Sequence, residues 1–199
     1  MKSSGLLIVI SGPSGAGKGT LCKELRDAMP ELNYSVSVTT RAPRVGEKEG
    51  INYYYIDKTK FEEMIAENEL LEWAKVYDNY YGTPKKQVME YIEQGEDIVL
   101  EIDIQGAMNI KKQYPQGVFV FIVPPSIREL EERITKRGTE SAESIKKRLS
   151  CASEELSYVT EYDYVVVNDS LTKAAEKLKA IIVAEKCRPQ RKKLEGLCE

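Results

Sequence analysis

The sequence contains no histidine. That removes imidazole acid–base catalysis, Ser-His triads and His-ligated metals. Cysteine is scarce. Cys22, Cys151, Cys187 and Cys198 stand apart without C-x-x-C spacing, so neither a disulfide framework nor a zinc site is suggested, and the thiols are expected to be reduced. No apolar run approaches the roughly 18–20 residues of a membrane span. The opening "MKSSGLLIVISG" carries one Lys and a short apolar run, too little for a signal peptide, so a cytoplasmic location is expected. A net charge of −3 gives no general pull toward nucleic acid or anionic membrane, and neither is an expected partner. Any catalysis must come from Lys, Arg, carboxylates, hydroxyls, backbone amides or a bound ion.

What is present looks like one globular domain with insertions: 199 residues, 42% hydrophobic and 31% charged. "LLIVIS" (6–11) is a continuous apolar run, as expected of a strand buried on both faces of a parallel sheet. Further strands of this kind are predicted at "DIVLEIDI" (97–104), "VFVFIVP" (118–124) and "YVVVN" (164–168). Helices are predicted between them. One follows the first strand and is stopped by Pro30. In "TPKKQVMEYIEQG", Thr83 is the expected N-cap, Pro84 the first helical residue and Gly95 the terminator. "SIREL" offers Ser126 and Glu129 as a capping box, and a long helix is expected from "SLTKAAEKLK" onward. Strands alternating with helices predict an α/β fold with a parallel sheet flanked by helices. Two segments break this rhythm and read as insertions on the core: 34–83, rich in Tyr, Arg and Thr with strand-like alternation in "YSVSVTT", and 126–156, helical and strongly charged.

The first strand runs into "GPSGAGKGT" (12–20). Gly12, Gly17 and Lys18 fit the phosphate loop G-x-x-x-x-G-K-[ST], but Gly19 stands where a hydroxyl belongs and Thr20 brings one a residue late. Backbone amides of such a loop, at the positive end of the next helix, form a nest for anions. Gly12, Pro13, Ser14, Gly15, Ala16, Gly17, Lys18, Gly19 and Thr20 are therefore the candidate ATP-binding residues, with Lys18 supplying charge to the β- and γ-phosphates. Mg²⁺ leans on substrate phosphates and keeps most of its waters, so a direct protein hydroxyl is dispensable. Further on, Ser37, Arg41, Arg44 and Tyr53 are polar groups of the kind that converge on phosphate, Arg being a bidentate reader of it. Asp103 ends a strand-like run in the manner of a Walker-B carboxylate, with Glu101 on the same strand face.

In this order and spacing, the loop, "SVSVTTRAPRVGE", "GINYYY", "LLEWAKVYDNYYGTP", "EIDIQG" and "RGTES" followed by "IKKRL" resemble the bacterial-type guanylate kinases, nucleoside monophosphate kinases of the P-loop class, over about residues 5–187. The resemblance implies a P-loop NTPase core (1–33, 84–125 and 157–188), a GMP-binding insertion (34–83), a helical lid (126–156) and a frayed tail (189–199). It implies ATP and GMP as substrates and Mg²⁺ accompanying ATP. Matching positions give Ser37, Arg41, Arg44, Tyr53, Glu72, Tyr81, Thr83 and Asp103 to GMP. Among them Arg41, Arg44, Tyr53 and Tyr81 would hold the phosphate, Glu72 the N1–H and 2-amino donors of guanine, and Ser37 and Thr83 its O6. The resemblance puts Asp103 between the GMP site and the water shell of Mg²⁺, without fixing one role. No direct metal ligand is assigned; Thr20 and Asp103 are candidates through water. Lys18, Arg133, Arg137 and Arg148 match catalytic positions, the arginines closing over the ATP phosphates. Asn168, in "VNDS", matches a stretch near the adenine, but Asn168 or Ser170 reads more simply as the N-cap of the last helix. Two alternatives stand beside this reading. A guanylate-kinase-like module that binds phosphopeptides would share the fold but lack a complete P-loop. A kinase for another monophosphate, adenylate or thymidylate, fits "GKGT", whereas Glu72, Ser37 and Thr83 favour guanine.

Overall fold

The computed structural model describes residues 4–76, 78–136 and 142–191, without the side chains of 136, 142–148 and 153. Arg137 and the Arg148 side chain therefore lie outside the described residues. In chain order the elements begin with β1 (Leu7–Ser11), α1 (Lys18–Ala28) and β2 (Asn33–Tyr34). Then come β3 (Val38–Thr39), β4 (Tyr54–Tyr55), α2 (Lys58–Ala66), β5 (Leu70–Val76) and β6 (Asn79–Pro84). The chain continues through α3 (Lys85–Gln94), β7 (Ile98–Glu101), α4 (Ile104–Gln113) and β8 (Val118–Val123). It closes with α5 (Ile127–Lys136), α6 (Ala142–Ser157), β9 (Tyr164–Val167) and α7 (Leu171–Lys186).

Five parallel strands form the main sheet in the order β2-β7-β1-β8-β9. The apolar run of β1 has a simple cause. Successive side chains of a strand face opposite ways. Ile8 and Ile10 enter one buried layer with Leu21 and Leu25 of α1 and Leu178 and Ile182 of α7. Leu7 and Val9 enter the other, with Val88, Ala107, Ile110, Phe119 and Phe121. No helix among the described residues is long and apolar enough to cross a membrane.

A second sheet, ordered β4-β3-β6-β5, carries α2, whose Phe61 packs with Val38 of β3 and Leu70 of β5. The pairing of β5 with β6 shifts register between Leu70 and Glu72. This irregularity lets three consecutive residues be buried in different places. Leu70 packs in the small arm core, Leu71 in the main body, and Glu72 faces Thr83. A bulge re-aims side chains in this way.

Several local expectations change. The run 97–104 is not one strand: β7 ends at Glu101, and Asp103 caps α4 by accepting the Gly106 amide at 2.9 Å. "YSVSVTT" divides, β2 joining the main sheet and β3 the second one. Pro84, not Thr83, is the N-cap of α3, because the Thr83 hydroxyl is spent on Glu72; Gly95 ends the helix as expected. Half of the capping box forms. The Glu129 amide donates to Ser126 Oγ at 3.1 Å, whereas the Glu129 carboxylate pairs with Arg133.

Candidate functional site

The loops after β1, β7 and β9 meet at the carboxyl edge of the main sheet, the edge where open parallel sheets bind ligands. After β1, Gly12 turns with φ of 142°, and a Cβ there would run into the Ile122 carbonyl. Only glycine meets both demands. Gly17, left-handed at φ 87°, is the N-cap of α1 and has no side chain to offer the helix amides. They are thus left for an anion. Lys18 curls back on its own loop, donating to the carbonyls of Gly12 (2.6 Å) and Pro13 (3.1 Å). Burial pulls its ammonium pKa down, against the opposing fields of Glu101, Glu155 and Asp103. Gly19 is not crowded. A Cβ there would lie 3.5 Å from a Glu101 carboxylate oxygen, in ordinary contact.

Contacts that sequence reasoning did not anticipate hold this loop. Asn168 does not cap the last helix. Its amide donates to the Ala16 carbonyl at 2.8 Å, while Ser170 stands at the N-cap position without a side-chain bond. Arg133 reaches the same carbonyl at 3.3 Å and the Asn168 carbonyl at 3.0 Å, and pairs with Glu129 at 3.1 Å. From α6, Glu155 accepts the Ser14 amide at 3.2 Å. No local sequence pattern marks such pairs, since they are 141 and 152 residues apart.

On the second sheet, Arg41 donates from Nε to the Tyr81 hydroxyl at 3.1 Å and lies 5.5 Å from the centroid of Tyr53. The Tyr53 and Tyr81 rings meet edge-on at 5.9 Å. These three expected phosphate-binding groups are therefore together. Glu47, missed from sequence, grips Arg41 with both oxygens (2.9 and 3.0 Å) and accepts from the Tyr55 hydroxyl and the Arg44 amide. Burial alone would raise the Glu47 pKa, but the Arg44 amide, Tyr55 and Arg41 together hold it below the ordinary value. The exposed Arg44 has its backbone in the cluster. Ser37 begins the approach to β3, its carbonyl accepting from the Tyr54 amide.

Between the two sheets lies Glu72, 6% exposed. Thr83 donates its hydroxyl to Glu72 Oε1 at 2.6 Å. Burial pushes the Glu72 carboxyl up to about 7, helped by the Asp103 charge and opposed by the Thr83 bond. Asp103 is raised by burial and lowered by the Gly106 and Gln105 amides and by Lys18. Its charge is favoured by Lys18 and in turn raises the Glu72 carboxyl. Among the described residues no cluster of three His, Cys, Asp or Glu could by itself cage a metal. The carboxylates near Lys18, of Glu101 and Asp103, suit a hard cation carried mainly by phosphates and reached through water.

The sequence model of the family described as Guanylate kinase matches residues 4–185. The guanylate kinase of Caldanaerobacter subterraneus subsp. tengcongensis is 58% identical over 193 residues, 97% of this chain and 94% of its own. That of Desulfitobacterium hafniense is 58% identical over 96% of each chain. The crystal structure of guanylate kinase from Anaplasma phagocytophilum superposes with a TM-score of 0.82 at 35% identity, covering 100% of this chain and 94% of that one. Sequence and architecture agree along almost the whole length, and the chain belongs to the guanylate kinase family.

Proposed function

We propose the following division of labour for transfer of the γ-phosphoryl group of ATP to GMP, giving ADP and GDP. Residues 1–33, 84–125 and 157–188 form the body that holds ATP. Residues 34–83 present GMP, and 126–156 act as the lid. The loop amides from Gly12 to Thr20 and the Lys18 ammonium take the β- and γ-phosphates. Arg41, Arg44, Tyr53 and Tyr81 hold the GMP phosphate. Its attacking oxygen is already ionised near neutral pH, so no base is needed. Phosphoryl transfer asks the protein for in-line positioning and for cations where charge spreads in the transition state. Lys18 and the arginines Arg133, Arg137 and Arg148 supply that charge. Mg²⁺ bound with ATP, reached by Asp103 and Thr20 through water, would neutralise phosphate charge. Closure of lid and arm excludes water, to which the phosphoryl group could otherwise be lost. The nucleotides are those of the cytoplasmic pool.

The observation that carries the choice of substrate is Glu72, a buried carboxylate fixed by Thr83. Guanine offers two donors side by side, N1–H and the 2-amino group, and a carboxylate accepts both. Adenine offers a lone pair at N1, which the carboxylate repels. Ser37 donates to O6, and Thr83 joins it there or stays on Glu72. Sites built on such hydrogen bonds can reject the wrong base by ~10⁴-fold, because their polar groups are otherwise stranded. The test is a coupled ADP-release assay with ATP, Mg²⁺ and, separately, GMP, dGMP, AMP, UMP and dTMP. Turnover should be dominated by GMP, with dGMP second and AMP near background. Preference for another base would overturn the role of Glu72 while keeping the phosphoryl-transfer body.

A further inference from the structure

We infer that Gly106 is a positioning residue for base specificity: it leaves the space in which the Glu72 carboxylate is held, an inference that rests on Glu72 being the group that reads guanine. Gly106 lies in the first turn of α4 and is buried. Its amide is spent on capping, donated to Asp103 Oδ1 at 2.9 Å. Its backbone is ordinary helix, outside the positive-φ glycines of the chain. Conformation therefore does not call for glycine here, and glycine within a helix is disfavoured relative to alanine. Space does call for it. A Cβ at 106 would stand 2.9 Å from Glu72 Cδ and closer still to Oε2. Carbon atoms prefer roughly 3.5–4.0 Å, so the carboxylate would have to move.

That movement would cost function more than it costs the fold. The obstructed atoms are the far end of one side chain, and the backbone of β5 need not follow. Glu72 has little freedom to move without harm, however. Oε1 is tied to Thr83 at 2.6 Å, and the register shift between Leu70 and Glu72 fixes where its backbone starts. Swinging Oε2 away from α4 either breaks the Thr83 bond or turns the carboxylate out of the plane of the base. Reading two adjacent donors needs both oxygens in place. A displacement of about 1 Å in a positioned group is enough to cost on the order of 10²-fold in rate.

The experiment compares Gly106→Ala with the parent enzyme, using GMP and IMP as acceptors. IMP keeps N1–H and O6 but lacks the 2-amino group, so the ratio of kcat/KM for GMP over IMP reports how well the second oxygen is aimed. The parent should favour GMP. Gly106→Ala should keep its melting temperature and its KM for ATP, lose on the order of 10²-fold in kcat/KM for GMP, and bring the GMP/IMP ratio close to unity. Adding Glu72→Asp, one methylene shorter, should restore part of the ratio by withdrawing the acid from the new methyl. Equal losses for GMP and IMP, or no loss, would overturn the role of Gly106 alone. If Gly106→Ala does not fold, the double variant must fold and discriminate; its failure too would show that the obstruction is not with Glu72. A parent enzyme that uses GMP and IMP equally would overturn the assignment of Glu72 itself, and Gly106 with it.

Discussion

Glu72 is nearly out of solvent, and burial lifts its carboxyl from 4.5 to about 7. A folded-state value above the ordinary one means that the fold prefers the neutral acid. The stability this contributes is complete below about 4.5 and is lost as pH rises through about 7. Glu72→Gln removes the titration and still leaves an oxygen for the Thr83 hydroxyl. At pH 5 the variant should melt close to the parent. At pH 8 the difference of 7 − 4.5 units, about 3–4 kcal/mol at ~1.4 per unit, should make the variant more stable, by roughly 10 °C. Thermal melts at the two pH values check this, and an equal offset at both would show that the buried charge is tolerated without strain. The gain comes with a loss, because a Gln amide presents only one acceptor to guanine. Near pH 6.5 GMP binding to the parent should also release more protons than binding to the variant, since the bound acid must ionise. Single residues of this kind were legible where a motif carries them: Lys18, Arg41 and Glu72 stand in quoted patterns. Glu47 and Gly106 stand in such patterns too, at the ends of "SVSVTTRAPRVGE" and "EIDIQG", but without a role to read there, and Glu155 stands in none; each matters through a group it touches across a loop or far along the chain.

At the level of elements, the strands of the main sheet were easy to read because each is an apolar run, but only part of the reading holds: β1 is buried on both faces, β7 stops at Glu101, and β9, at the sheet edge, buries Val166 while Val165 and Val167 stay exposed. The errors have one physical origin: a residue that serves a tertiary partner instead of its neighbour in sequence. Thr83 looks like an N-cap until Glu72 takes its hydroxyl. Asn168 looks like one until Ala16 takes its amide. Asp103 went the other way. It reads as the end of a strand, and it caps α4. Cap and charge can be separated there. Asn caps helices about as well as Asp, so Asp103→Asn should keep α4 and shift the melting temperature by only a few degrees. The charge beside Lys18 and the proposed reach toward metal-bound water would go, and kcat should fall by at least about tenfold, toward the ~10²-fold that one lost electrostatic contact costs. Circular dichroism and steady-state turnover on the same preparation decide it. Unchanged turnover would make Asp103 a helix cap and nothing more.

Across the whole molecule, a net charge of −3 leaves no diffuse positive field for nucleotides. The cations proposed to take phosphate are local, and protein oxygens already hold them. Lys18 sits on the Gly12 and Pro13 carbonyls, Arg41 on Glu47, and Arg133 on Glu129, Ala16 and Asn168. These contacts keep the groups in place, and in the proposed mechanism each is exchanged or shared with phosphate. The Ser14 amide is the sharpest case, because its partner is an anion. Glu155 of α6 accepts that amide at 3.2 Å and acts on Lys18 as well. A carboxylate at the phosphate nest competes with ATP for the same donor and repels it. Glu155→Gln keeps an acceptor for Ser14 but removes the charge, so KM for ATP should fall several-fold while KM for GMP stays near the parent value. The advantage should shrink as salt is raised, since screening already weakens the repulsion in the parent. Titrating ATP at saturating GMP, at low and high ionic strength, measures both effects. A higher KM for ATP would mean that the Glu155 charge shapes the loop for binding, and that the nest depends on α6 for its form.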